Sequence, residues 1–471
     1  MISLKEAANI FYQYYDRYME PSLKTKWVRH SDIQPLIQNL PRENFDISAA
    51  GKSVLEKDIC LLSWGKGPRK IFLWSQMHGD ESTATKALFD IFNFLSSSDE
   101  LDAFRNILYE KNTLYFLPLL NPDGAEYFNR RNSFDIDLNR DALSLQSPES
   151  KLLKFIFDEI KPDFGFNLHD QDEKYSVGNT KRQAAISFLA PPADFSNSVS
   201  PNRERAMQLI AGITAALSDI IPGHIARYSD EFEPRAFGDN FQKWGMSTVL
   251  VESGGWKDDE QKQFIRKLNF VLLLTAFDSI TSSSYLNFET DDYLKIPENT
   301  KYLMNVVLRN LWLKINNHRV KIDIGINREQ LWEEGKLYYK STIEEIGDLS
   351  VYSGIEDHDF TGYEVLPGKI SDKVFESVES LRETDKHNLL RQGITDVRIS
   401  KLNTQRVFTD FTYNLRMKNL NHDLSNHIKV GEGADLIIIK NDEVKFIIIN
   451  GFIYNIETNS GVIQNSIVKH V

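Results

Sequence analysis

The sequence predicts an α/β protein in which a sheet is covered on both faces by helices. Two observations carry this. Short apolar, β-favouring runs recur at residues 70–77 (KIFLWSQM), 113–120 (TLYFLPLL), 163–168 (DFGFNL) and 248–251 (TVLV). Helical stripes separate them, and near-continuous apolar strands alternating with helices belong to sheets buried on both sides.

Residues 1–40 read as aromatic-rich helical lead-in, and residues 44–64 are strand-like. After the first buried run, Ala84, Ala87, Leu88, Ile91, Phe92 and Leu95 fall on one helical face. Ser147-Pro148 is a cap followed by a first-turn proline, and Leu152, Leu153, Ile156 and Ile160 form the stripe behind it. Ser200-Pro201 opens another helix, to about residue 220. A long helix over about 259–280 carries Phe264, Leu268, Val271 and Leu272 inward. A Ser-rich stretch at 281–285 and a polar one at 289–292 then break the pattern, so a domain boundary is expected near residue 288. Residues 1–288 form the expected α/β domain and 289–471 an α+β accessory domain. In the latter a helix is expected near 301–313, a strand at 320–326 and a hairpin-like pair at 436–439 and 446–449.

Bulk properties narrow the function. The chain has 471 residues, enough for two or three domains at roughly 100–200 residues each. A net charge of -12 disfavours nucleic acid and anionic membranes. One cysteine, Cys60, excludes an internal disulfide and a Cys-based metal cage, so any metal site must use His, Asp and Glu. The N-terminus lacks a basic segment followed by an apolar run, and the apolar run at 270–277 falls far short of the ~20 residues a membrane span needs. A cytoplasmic protein is expected.

The chemistry-bearing residues stand at strand ends, where open α/β sheets bind ligands. His78-Gly79-Asp80-Glu81 follows the first buried run and can aim an imidazole and a carboxylate at one cation. His169 closes the third run and supplies a third ligand, with Asp170 beside it either orienting a ligand or lying in solvent. Glu252 ends the fourth run and is placed to act as a general base. Arg130, Arg131 and Arg140 lie in one loop region, where arginine can grip a carboxylate or stabilise an oxyanion. Each motif alone fits a solvated turn; their conjunction on three strand ends does not.

With these residues in this order, residues 40–280 resemble the zinc carboxypeptidase family, the carboxypeptidase A-like metallopeptidases. Asp137-Leu138-Asn139-Arg140 and Asn121-Pro122-Asp123-Gly124 are the strings closest to that family. The resemblance implies a mixed, mostly parallel, eight-stranded sheet flanked by helices. It also implies one zinc ion per chain held by His78, Glu81 and His169. Glu252 would be the general base, and Asn139 and Arg140 would hold a substrate carboxylate. Arg130 would polarise the scissile carbonyl, with Arg131 next to it as the alternative. Tyr228 would be the mobile tyrosine, its alternative being a packed loop aromatic. Phe237 or Asp239 would fall at the specificity position.

Digestive members carry Arg between the first two ligands, where this chain has Asp80. That resembles the branch of bacterial cell-wall peptide amidases and deacylases of N-acyl amino acids. The implied activity is therefore a metallocarboxypeptidase acting on a peptide with a free carboxylate. The alternatives are a deacylase of N-acyl amino acids (aspartoacylase- or succinylglutamate desuccinylase-like) and, from another class, a carboxylate-binding module without catalysis. The accessory domain is expected to restrict access to the cleft or to support a homo-oligomer.

Overall fold

A computed structural model describes residues 2–333, 336–401, 413–417 and 427–463. The chain divides into two compact units, Met1–Lys301 and Tyr302–Val471.

The first unit opens with α1 (Leu4–Tyr14), whose first turn is closed by a reciprocal Ser3–Glu6 capping box. There follow α2 (His30–Gln38), β1 (Asp46–Lys52), β2 (Asp58–Gly65), β3 (Arg69–Ser75), α3 (Thr83–Ser96), α4 (Asp102–Lys111) and β4 (Asn112–Leu117). Next come α5 (Pro122–Glu126), α6 (Pro148–Ile160), β5 (Phe164–Asp170), β6 (Tyr175–Val177), β7 (Ile186–Leu189), α7 (Pro201–Leu217) and β8 (Ile225–Arg227). The unit ends with α8 (Phe237–Lys243), β9 (Ser247–Ser253), α9 (Gln263–Ser282), α10 (Thr290–Leu294) and β10 (Asn299–Lys301).

Eight strands form one sheet in the order β1-β2-β4-β3-β5-β9-β7-β8. Four of its seven pairings are parallel, so the sheet is mixed and mostly parallel, as expected. Strand β3 shows how sequence period becomes two cores. Ile71 and Leu73 enter the cluster under α3, α7 and α9, while Phe72 and Trp74 enter the one under α6 and α8. Both faces are apolar, which is why the strands read as unbroken apolar runs.

One buried ion pair braces the first cluster. Arg266 of α9 and Asp90 of α3 are fully buried, with Nε donating to Oδ2 at 2.7 Å. Arg266 also donates to the carbonyls of Glu20 and Leu23 at 2.9 and 2.6 Å, pinning the N-terminal segment. Arg266→Met strands Asp90 in an apolar core and is expected to cost about 3–5 kcal/mol in urea unfolding. A loss below about 1 kcal/mol would refute this bracing role.

The first unit extends past the expected boundary near residue 288. Tyr293 of α10 is fully buried and its hydroxyl accepts from the Ala190 amide at 3.2 Å, while β10 pairs antiparallel with β6. The polar stretch at 289–292 is the start of α10, with a capping box at Glu289, and not a linker.

The second unit is mainly β. It contains β11 (Leu303–Ile315), β12 (His318–Glu333), β13 (Lys336–Gly347), β14 (Ser353–Asp359), β15 (Glu364–Pro367), β16 (Lys369–Phe375), α11 (Val378–Arg382) and α12 (Lys386–Arg391). Then come β17 (Ile394–Ile399), β18 (Asn414–Met417), β19 (Leu436–Lys440), β20 (Glu443–Ile449) and β21 (Phe452–Asn455). The main sheet runs β13-β12-β11-β15-β19-β20-β21, with β14 also paired to β11, and β16, β17 and β18 form a smaller sheet. The hairpin-like pair at 436–449 is present as β19 and β20, with Leu436 opposite Ile448. The helix expected near 301–313 is instead strand β11. Met304, Val307, Leu308 and Leu311 have helical spacing, but β12 pairs one edge of the segment and β14 and β15 pair the other. Burial on both faces, with β-branched Val306 and Val307 at the centre, overrides that spacing. Among the described residues no helix is long and apolar enough to cross a membrane.

Candidate metal centre and active site

The site lies beyond the carboxyl ends of β3, β5 and β9. After β3 the chain turns through Gln76 at φ 48° and reaches His78. Gly79 packs directly on α5, where a Cβ would lie 2.1 Å from the Gly124 carbonyl carbon. Only glycine permits that approach, and it lets His78 and Glu81 face the same point.

Glu81 is the hub. Its Oε1 lies 2.8 Å from His78 Nδ1 and 3.0 Å from Arg130 Nη1. Its Oε2 lies 2.7 Å from His169 Nδ1 and accepts from the Asp170 amide at 3.2 Å. One donor atom from each of His78, Glu81 and His169 lies within 4.8 Å of the others, and all three residues are buried. Among the described residues this is the one such cluster. Two imidazole nitrogens and a carboxylate, with room for a further ligand, match the donor set of a single catalytic zinc. His78 Nε2 is held by Asp137 Oδ1 at 3.0 Å, which fixes the ring and leaves Nδ1 for the cluster.

Electrostatics follow from this crowding. Burial opposes a charge on His78, but Glu81 and Asp137 prevail and hold its pKa up to about 9. Burial pushes His169 down, so it stays neutral. Burial also opposes ionisation of Glu81, yet the two histidines hold its carboxyl well below the usual range. Burial and then the like charge of Glu81 push Glu252 well above the ordinary carboxylate value.

Glu252 stands directly opposite His169 in the parallel β5–β9 ladder, so the two side chains leave the sheet side by side. They open into a cavity of about 550 Å³ that Arg130, Asn139, Arg140 and Tyr228 also line. Arg130 bridges Glu81 and Asp137, at 3.0 and 3.1 Å. Asn139 Oδ1 accepts from the Phe237 amide at 3.0 Å, and Arg140 Nε lies 3.2 Å from Glu233. The Tyr228 ring faces Tyr175 at 6.3 Å. Burial and then the Glu252 charge raise its phenol, so the hydroxyl remains a donor.

Arg131 does not line the cavity. It turns outward, donating to the Asp135 carbonyl at 2.8 Å, because adjacent loop side chains leave in different directions and Arg130 takes the inner one. Phe237 is fully buried in the core, whereas Asp239 lines the cavity with its pKa pushed up to about 7 by burial. Sequence reasoning gave no role to Asp137, Glu233 or Lys262. Only Asp137 carried a signal, its place in the Asp-Leu-Asn-Arg string.

Two imidazoles and one carboxylate converging on one point are the donor set that a mononuclear catalytic metal uses. Residues 37–189 match the model of the zinc carboxypeptidase family. The chain is similar to "Probable carboxypeptidase 2" of Trichophyton verrucosum, 26% identical over 145 residues, covering 30% of this chain and 27% of that protein. It is also similar to "Carboxypeptidase 2" of Trichophyton rubrum, 30% identical over 104 residues, covering 22% and 19%. The chain thus spans about a quarter or less of the length of these curated relatives. A metallo-carboxypeptidase structure from Burkholderia cenocepacia aligns with a TM-score of 0.43 at 17% identity, over 54% of this chain and 69% of that one.

Proposed function

We propose that this protein is a zinc metallocarboxypeptidase that hydrolyses the amide bond next to a substrate carboxylate. The observation that carries the reading is the placement of Glu252 beside His169, over the His-Glu-His cluster and in one cavity with Arg130, Asn139 and Arg140. His78, Glu81 and His169 would hold the zinc. When bound, zinc polarises the scissile carbonyl and makes water more acidic.

Glu252 takes a proton from the attacking water and later delivers it to the departing amine, so hydroxyl goes to the acyl carbon and hydrogen to nitrogen. The Arg130 guanidinium stabilises the oxygen that gains charge. Asn139 and Arg140 bind the substrate carboxylate, with Arg140 leaving Glu233 to do so. The Tyr228 hydroxyl donates to the substrate from the cavity wall.

The test is mass spectrometry of short peptides incubated with zinc-loaded protein. Loss of single residues from the carboxyl end is expected, and amidation of that end should slow cleavage about 10–100-fold. Equal rates on free and amidated peptides would sink the reading. A second reading, a deacylase of N-acyl amino acids, rests on Asp80 between the first two ligands. Burial and then Glu81 push its carboxyl up to about 6. N-acyl amino acids run beside the peptides separate the two readings.

A further inference from the structure

We propose that Lys262 is a positioning residue that locks the strand ends bearing His169 and Glu252, and the helix start bearing Glu81, into one metal-binding geometry. This rests on the reading of His78, Glu81 and His169 as zinc ligands. Lys262 precedes α9 with a left-handed backbone, φ 51°, and is 6% exposed. A non-glycine residue persists in that conformation where its surroundings fix it. The side chain runs inward to the point where the β5–β9 ladder stops.

The last pair of that ladder is Asp170 with Ser253. Each is the neighbour of a functional residue, His169 or Glu252. The Lys262 ammonium donates to the Ser253 carbonyl at 2.8 Å, to Asp170 Oδ2 at 3.2 Å and to the Gln171 carbonyl at 3.4 Å. It therefore ties the two strands together past their last ladder pair.

Asp170 carries the restraint to the third ligand. Its Oδ2 also accepts from the Thr83 hydroxyl at 2.6 Å, and its amide donates to Glu81 Oε2 at 3.2 Å. Thr83 is the first residue of α3 and lies just after Glu81. One buried ammonium–carboxylate pair thus connects every segment that presents a ligand or base except that of His78, which Asp137 holds. Backbone register alone sets which residues are neighbours. One further main-chain bond, from the Gln171 amide to the Ser253 carbonyl at 3.0 Å, holds the strand ends, and the Lys262 contacts reinforce it where a ligand set tolerates little splay.

The experiment compares the full-length protein with Lys262→Met, which keeps the apolar stem and removes the donors, and with Asp170→Asn. Zinc affinity is measured by competition with a chromogenic chelator. Cooperative thermal unfolding identifies folded protein, and peptide kinetics are measured in parallel. A folded Lys262→Met protein is expected to bind zinc about 10–100-fold more weakly. Its kcat should fall, with KM held within about threefold. Asp170→Asn should shift both in the same direction, and it decides the matter by the same criteria if Lys262→Met does not fold.

Zinc affinity within twofold of the parent, in folded variant protein, overturns the proposal and leaves Lys262 a brace for stability only. A parent that binds zinc but cleaves no peptide sinks the peptidase reading alone, and the zinc comparison still decides on Lys262. A parent that takes up no zinc overturns both.

Discussion

Glu252→Gln is expected to lower kcat by about 10³-fold or more while leaving zinc content at about one ion per chain. The glutamine keeps the shape of the side chain beside His169 and removes its ability to take a proton. Metal binding is spared because the donor cluster consists of His78, Glu81 and His169 alone. The pH profile of the parent carries the same assignment. Burial and Glu81 raise the pKa of Glu252, and a base works only when ionised. Activity should therefore rise with pH along an acid limb, and a cation beside Glu252 moves that limb to lower pH. Elemental analysis and kcat/KM on the same preparation check both halves. A variant within tenfold of the parent would remove Glu252 from the mechanism.

The positions of His78, Glu81, His169 and Glu252 at one edge of the sheet were legible because β3, β5 and β9 are buried on both faces. An unbroken apolar run that ends in a polar residue marks where a strand leaves the core. Loop geometry was less legible. Arg130 and Arg131 are adjacent, and only the turn through Asn132 and Asp135 decides which faces Glu81. Strand β11 was misread as a helix because apolar spacing alone does not report pairing on both edges. Lys262 was invisible for a different reason. Two of its three acceptors are main-chain carbonyls, which any sequence supplies, and they become special only where two strands stop together.

His78→Ala is expected to abolish zinc binding, from about one ion per chain to none, because two remaining ligands fall short of the three that hold a catalytic zinc. The proton balance of the cluster gives this prediction a second readout. Glu81 is already ionised and His169 already neutral near pH 7, while Glu81 and Asp137 hold His78 protonated up to about pH 9. A cation entering the cluster must then displace the His78 proton, besides any it draws from Glu252. Apparent zinc affinity should rise at least about tenfold per pH unit from pH 7 until it levels near pH 9.

Stability without metal should move the other way. A histidine whose pKa is raised on folding contributes most below its unfolded value, about 6.5, and that contribution is lost as pH rises through about 9. Chelator-stripped protein should thus lose thermal stability between pH 7 and 9, and zinc should restore more of it at the upper end. His78→Ala should flatten both trends. A variant that still takes up one zinc per chain would show that the cluster built on Glu81 is not the metal site.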